Sequence, residues 1–385
     1  MAIKEQESSN TCKRMGLDGC VARSARVVQW RAGCANRQGV KRTILVTGGA
    51  GYIGSILVPL LLEQGHTVRV VDRFFFGSDT LQPAQTQYGE RLTLVRADVR
   101  TLPLETFSGV DAVIDLAGIS NDPSCELAPS LTRQVNYEAA VTTMRHAQRA
   151  GVKRYILASS CSVYGRGEGV GLTESSPLNP VSLYARCKAD AETALLSLRS
   201  SDFCPTILRL ATVFGLSPRM RFDLAINVMT KNAYTNGKIT VDGGGKQWRP
   251  FVHVADVAET MVFMLHAEAH NVDGQIFNVG HDDNNVRILN LAYRVRDAIP
   301  GTQIVMAPTD PDLRDYNVRF EKLWGLLQDR QFRTIEYGIE EVLGALRSGF
   351  VDPDERRWYT LAQYRFLLDV ERTYQEVVLE GRVLS

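Results

Sequence analysis

Tyr184 and Lys188 stand four residues apart in the stretch NPVSLYARCKADAE (179–192). Asn179 and Pro180 just before them suit the start of a helix. On a helix, positions i and i+4 share a face, so a phenol and an ammonium would lie side by side. A phenol is protonated at neutral pH, and a neighbouring positive charge pulls its pKa down toward phenolate. Such a group is an acid/base suited to interconverting an alcohol and a ketone. An ordinary amphipathic helix with a surface lysine has the same spacing, so the pair gains weight from its surroundings. The preceding stretch LASSCSVYG (157–165) closes an apolar run with hydroxyls and a thiol. Ser160 there could hydrogen-bond the reacting oxygen, while Ser159 and Ser162 read equally well as turn residues. Cys161 could serve as an acid/base if its pKa were shifted.

These groups need a scaffold that brings them to one place. The run TILVT (43–47) meets Gly48, Gly51 and Gly54 and then passes into a helical pattern. The first glycine permits a tight turn, the second a close approach of pyrophosphate, and the third close helix–strand packing. Tyr52 and Ile53 lie inside this turn, where the helix N-terminus offers free N–H groups to phosphates. Asp72 ends the next strand, 18 residues after Gly54, where an acid can hold a ribose 2′-hydroxyl and repel a 2′-phosphate. This favours NAD over NADP, and Arg73 is the one neighbour that could serve NADP.

Strands are expected at 43–47, 67–72, 92–98, 111–118, 154–160 and 205–215, with helices at 52–64, 131–150 and 182–198. That alternation predicts an α/β fold, a Rossmann-type doubly wound parallel sheet. Past Gly215 the pattern becomes irregular and richer in Pro and Gly. The predicted organisation is a basic extension (1–42), a dinucleotide-binding domain (43–215) and mainly a smaller substrate-binding lobe (216–385).

The 385 residues carry a net charge of +1 with 23% charged residues. No global field points to nucleic acid, and no apolar stretch has the length of a membrane span. Seven scattered cysteines without a CxxC pair read as reduced thiols of a cytoplasmic protein with no metal site. Residues 1–42 are rich in Arg and Lys. They read as a floppy extension or an over-long gene start, a transit peptide weakened by Glu5, Glu7 and Asp18, or an arm packed on the core.

The segments TGGAGYIG, YARCK, LRLATVFG and WRPFVHVADVA together resemble an extended short-chain dehydrogenase/reductase of the NAD-dependent nucleotide-sugar epimerase/dehydratase family, over roughly residues 41–346. The resemblance implies that Asp98 and Val99 flank the adenine and that Leu116, Ala117 and Gly118 line the dinucleotide. It implies that Asn136 supports the lysine and active-site water, and that Arg249 and Arg314 hold the substrate pyrophosphate. Asn227 would contact the nucleotide half, Thr212 would stand at the approach to the sugar, and His253 would pack between the lobes. A homodimer through the helices at 131–150 and 182–198 is also implied. Family 4,6-dehydratases carry an Asp-Glu pair just after the residue equivalent to Ser160, and decarboxylating members a glutamate at the Ser162 position. Here those positions are Cys161 and Ser162. Without such acids the expected reaction is C4 epimerisation through a transient 4-keto sugar. Two departures stand against it: Thr212 replaces a usual asparagine, and residues 119–129 (ISNDPSCELAP) differ from the usual loop. The alternatives are an NAD(P)H-dependent 4-ketoreductase, a 3,5-epimerase-like use of Cys161, and a dinucleotide sensor without turnover.

Overall fold

In the computed structural model, the described residues are 40–167, 171–308, 314–328, 330–379 and 381–382. All but Val40 belong to the unit Lys41–Ser385. Except for Val40, Lys41 and Arg42, the expected basic extension lies outside the described residues, as do Cys12, Cys20 and Cys34.

Seven short apolar runs pair side by side: β1 (Thr43–Thr47), β2 (Thr67–Asp72), β3 (Leu92–Arg96), β4 (Ala112–Asp115), β5 (Arg154–Ser160), β6 (Cys204–Leu210) and β10 (Gln275–Val279). All pairings are parallel, and the order is β3-β2-β1-β4-β5-β6-β10. Alternate residues of each strand face opposite sides. In β1, Ile44 and Val46 therefore join one core and Leu45 the other. Helices Gly54–Glu63 and Val254–His266 supply apolar side chains to the first core, and helix Leu183–Ser197 supplies Ala191 and Leu195 to the second. The strand order reverses between β1 and β4, where the chain ends part and leave a crevice.

Three features depart from the sequence reading. The strand foreseen at 205–215 is two strands. Ala211 N–H still bonds Val279 O, but β5 and β10 have both ended there. With no neighbour left, β7 (Thr212–Phe214) joins a separate three-stranded sheet with β9 (Trp248–His253) and β11 (Asn285–Arg287). The seventh strand of the large sheet was not foreseen. It comes from residues assigned to the second lobe, which otherwise contains a parallel pair, β8 (Lys238–Asp242) and β12 (Gln303–Ala307). The helix expected at 131–150 is interrupted by a wide turn at Gln134–Ala139. No described helix is long and apolar enough to cross a membrane.

One buried ion pair fastens the helix Leu183–Ser197 to the sheet. Arg209 on β6 meets Glu192 at 2.7 Å, each side chain only 4% exposed. Glu192 also accepts from Ser159 Oγ at 2.5 Å, and Arg209 donates to Tyr164 Oη at 2.9 Å. Removing one partner strands the other charge in a dry core. Glu192→Ala should therefore lower unfolding free energy by about 3–5 kcal/mol in urea titrations. A loss below about 1 kcal/mol, the scale of an exposed pair, would show that the pair is solvated.

Candidate active site

The crevice opens into a cleft of about 990 Å³ that runs from the glycine turn to β8 and β9. Its first half is shaped by backbone closeness. A Cβ on Gly54 would lie 2.4 Å from Gly49 O, so only glycine lets the helix start against the turn. Gly48 has φ +66°, and a Cβ there would come within 3.0 Å of the backbone of Leu116 and Ala117. Gly48, Gly51, Tyr52, Ile53 and Gly54 all line the cleft opposite Leu116, Ala117 and Gly118. Tyr52 donates to Gly215 O at 2.6 Å and accepts from Asn227 Nδ2 at 3.1 Å, and so ties the turn to the second lobe.

Asp72 lines the same half and accepts from the N–H groups of Ala50 (3.1 Å) and Phe74 (2.7 Å). Burial raises its carboxyl pKa, while those two N–H groups and Arg219 oppose the shift. Asp98 is gripped by Arg100 at 2.7 Å and Arg73 at 2.6 Å. Their hydrogen bonds, Arg100's first, hold its carboxyl well below the usual range. Arg73 also lies over the Phe75 ring, so this guanidinium already has a carboxylate partner. Val99 lies on the wall beside Asp98. Glycines that permit close approach, an acid at the end of β2 and an apolar slot beside Val99 fit a dinucleotide.

Lys188, Tyr184, Ser159 and Ser160 line the floor. Lys188 is 7% exposed and donates to Ala158 O at 2.7 Å. Burial lowers its pKa, and the carboxylate of Asp115 acts against that shift. Asp115 is itself buried, accepting from Thr47 at 2.5 Å and Tyr155 at 2.7 Å. Ser160 lies close enough to the Tyr184 phenol to favour its ionised form. Burial pushes that phenol up, Cys125 and Asp122 add to it, and Arg221 and Ser160 work the other way. An added cation in the cleft would shift the phenol toward phenolate.

Other expected site residues lie elsewhere. Cys161 is fully buried, donates to Arg209 O at 3.2 Å and has its thiol pKa raised by burial. Neither Cys161 nor Ser162 lines the cleft, because the chain turns there into a short helix whose side chains enter the core. Ser159 reaches the wall, but its hydroxyl is used by Glu192. Asn136 does not line the cleft. Its amide clamps both backbone groups of Ile119 at 2.8 Å, and it sits in the wide turn, a kind of irregularity frequent at functional sites. Asn227 is also off the wall. It is fully buried and binds Gly215 N, Arg221 O and Tyr52 Oη, so it joins the lobes from inside. His253 likewise bonds Glu341 at 2.9 Å within the second lobe. Thr212, Arg249 and Arg314 do line the second half of the cleft. Arg314 also pairs with Asp122 at 3.0 Å.

The sequence reading missed the segment RMRFD (219–223), whose two arginines and one aspartate in a loop after Gly215 were a readable signal. Arg221 pairs with Asp223 at 2.6 Å, and Asp223 accepts from Asn121 at 2.6 Å. It also missed the wall formed by the helix Thr360–Val377, which no motif marks. Among the described residues no cluster of His, Cys, Asp or Glu is placed to hold a metal ion.

Comparison with known proteins locates this geometry. The model of the NAD dependent epimerase/dehydratase family matches residues 44–280. UDP-glucuronic acid decarboxylase 1 of Danio rerio is 28% identical over 319 residues, covering 78% of this chain and 74% of that protein. UDP-glucose 4-epimerase of Corynebacterium glutamicum is 27% identical over 255 residues, covering 62% and 75%. Among solved structures, UDP-N-acetylglucosamine 4-epimerase from Methanobrevibacter ruminantium superposes with TM-score 0.71 at 25% identity, over 80% of this chain and 99% of that one. The dTDP-glucose 4,6-dehydratase of Streptomyces venezuelae, solved with NAD bound, gives 0.71 at 26% identity over 81% and 99%.

Two substitutions test the floor of the cleft. Tyr184→Phe should reduce turnover by roughly 10²- to 10⁴-fold, the contribution of a general acid/base, and leave bound NAD in place. Cys161→Ala should leave turnover unchanged, because the thiol faces the core. Steady-state rates and NAD content of the two purified variants check both. Full activity in the phenylalanine variant would remove Tyr184 from the chemistry.

Proposed function

The chain belongs to the NAD dependent epimerase/dehydratase family, and on that premise we propose that it epimerises a nucleoside-diphosphate sugar at C4 through a transient 4-keto intermediate. NAD is the cofactor; held by the glycine turn and Asp72, it would supply reversible hydride transfer at C4. Tyr184 Oη would hold the proton lost from the C4 hydroxyl and give it back at the end. Ser160 would fix the reacting oxygen. Lys188, anchored on Ala158 O, would keep a positive charge beneath the phenolate.

The observation that carries this reading is that the two positions after Ser160 present no carboxyl group to the cleft. Cys161 and Ser162 lie off the cleft. Asp122 is paired with Arg314. Asp223, despite burial, is held below the usual carboxylate range by Arg221. Held ionised, Asp223 is a poor donor of a proton to a leaving hydroxyl, which dehydration requires. For the substrate's other end, Arg249 and Arg314 offer cations to a diphosphate, and Asn232, Thr240 and Gln247 offer polar groups to a base.

The test supplies UDP- and dTDP-sugars, including a uronate, to protein in D₂O without added cofactor. A new C4 epimer should form with no solvent deuterium at C3 or C5. Release of CO₂ from the uronate, or deuterium at C5, replaces the reading with a decarboxylase or dehydratase. Turnover only with added NADPH replaces it with a ketoreductase. Since burial raises the Tyr184 pKa, turnover should rise with pH as the phenol ionises.

We also propose a homodimer built on the helices Ala140–Arg149 and Leu183–Ser197. On the latter, Ala191 and Leu195 face the sheet, and Ala189, Ala194 and Leu196 remain half-buried. Light scattering at micromolar protein should give twice the chain mass, and a monomer mass would refute it.

A further inference from the structure

The helix Thr360–Val377 has 18 residues, of which only Thr360 and Gln363 are buried. It is roughly 27 Å long at 1.5 Å per residue, yet little of it rests on a core. Its first turn is firmly tied. Gln363 Nε2 donates to Phe75 O at 2.8 Å, and Arg219 Nη2 donates to Thr360 Oγ1 at 3.0 Å. Tyr364 packs edge-on to Phe75 and Phe76 at 6.2 and 5.5 Å between ring centroids. Beyond that turn the helix crosses open space. Leu367, Leu368, Val370 and Tyr374 line the same cleft as the glycine turn, and Val370 and Tyr374 remain 47% and 42% exposed. Farther on, Glu371 is close enough to Arg100 to favour that residue's charge, and the helix touches the short helix Asp122–Cys125.

Most of this helix's contact is therefore with the cleft, to which it presents an apolar row. That row lies opposite Gly48, Gly51, Asp72 and Asp98, the walls of the dinucleotide half. Its anchor adds a charge argument. Arg219 is 2% exposed, lines the cleft, and has an Nε–H without a hydrogen-bond partner. Its guanidinium lies 3.7 Å over the Phe76 ring, and neighbouring Arg221 repels it, with Asp223 the nearby counter-charge. A buried, under-satisfied cation beside the glycine turn suits a pyrophosphate.

We propose that the helix Thr360–Val377, seated by Arg219, is the outer wall of the NAD site, so that the cofactor is enclosed between this helix and the glycine turn and leaves only when the helix lifts. The inference requires NAD as cofactor and holds whichever sugar reaction follows.

The test measures cofactor release, not turnover. Full-length protein loaded with NAD is freed of excess by gel filtration. Released NAD is then trapped by alcohol dehydrogenase and ethanol and read as NADH absorbance. Tyr364→Ala loosens the anchored turn, and Leu367→Glu places a charge in the cleft-facing row. Each should release NAD at least about tenfold faster than the parent, as a loss of about 1.4 kcal/mol of contact would give. Hydrogen exchange on the unmodified protein supplies a reading that needs no variant: amides of residues 364–377 should become more protected when NAD is bound. Release at the parental rate in both variants, or equal exchange with and without NAD, would overturn the proposal.

Discussion

The structure depends on one place where backbone meets backbone. Gly54 starts the first helix so close to Gly49 that no side chain fits between them. That contact sets the helix against β1, turns the intervening loop outward and opens the crevice beside β4. It also aims Tyr52 into the second lobe, where its phenol meets Gly215 O and Asn227. Asn227 in turn holds Arg221 O, Arg221 holds Asp223, and Asp223 reaches both Asn121 and Thr360. A tight turn in the first strand–helix unit is thereby linked by hydrogen bonds to the far end of the chain.

The site is also a problem in buried charge. Ions taken from water into a protein interior cost several kcal/mol each unless they are paired. Three buried ions here have a neighbour of opposite sign: Arg209 with Glu192, Arg221 with Asp223, and Lys188 near Asp115. The pairs do more than avoid a penalty. Glu192 and Lys188 lie on one helix and fix it to β5 through Ser159 Oγ and Ala158 O. The ammonium and the phenol are therefore held at the strand end by the contacts that keep the interior neutral. The carboxylates of Asp122 and Asp223 are each engaged by an arginine.

The sheet lies far from these polar contacts in sequence pattern but close in space. Strands covered on both faces are apolar throughout, and their ends deliver the polar residues to one edge. The loop carrying Asn121 and Asp122 is positioned from below by Asn136, whose amide is wholly used on Ile119. A residue without access to the cleft thus shapes part of its wall.

The sequence alone determined what depends on local spacing. The glycine turn, Asp72, the six apolar runs and the Tyr184–Lys188 pair were legible because strand, turn and helix each impose a short repeat on neighbouring residues. It did not reveal which face a side chain takes once the chain bends. Cys161 and Ser162 adjoin Ser160 in sequence, yet a short helix beginning there turns both into the core. Nor did it reveal partners brought from afar. The strand Gln275–Val279 enters the large sheet beside β6, Arg221 arrives near Tyr184, and the helix Thr360–Val377 closes over the dinucleotide half. Those relations have no period to read. They arise from burying apolar faces and pairing charges across hundreds of residues, which only the tertiary structure decides.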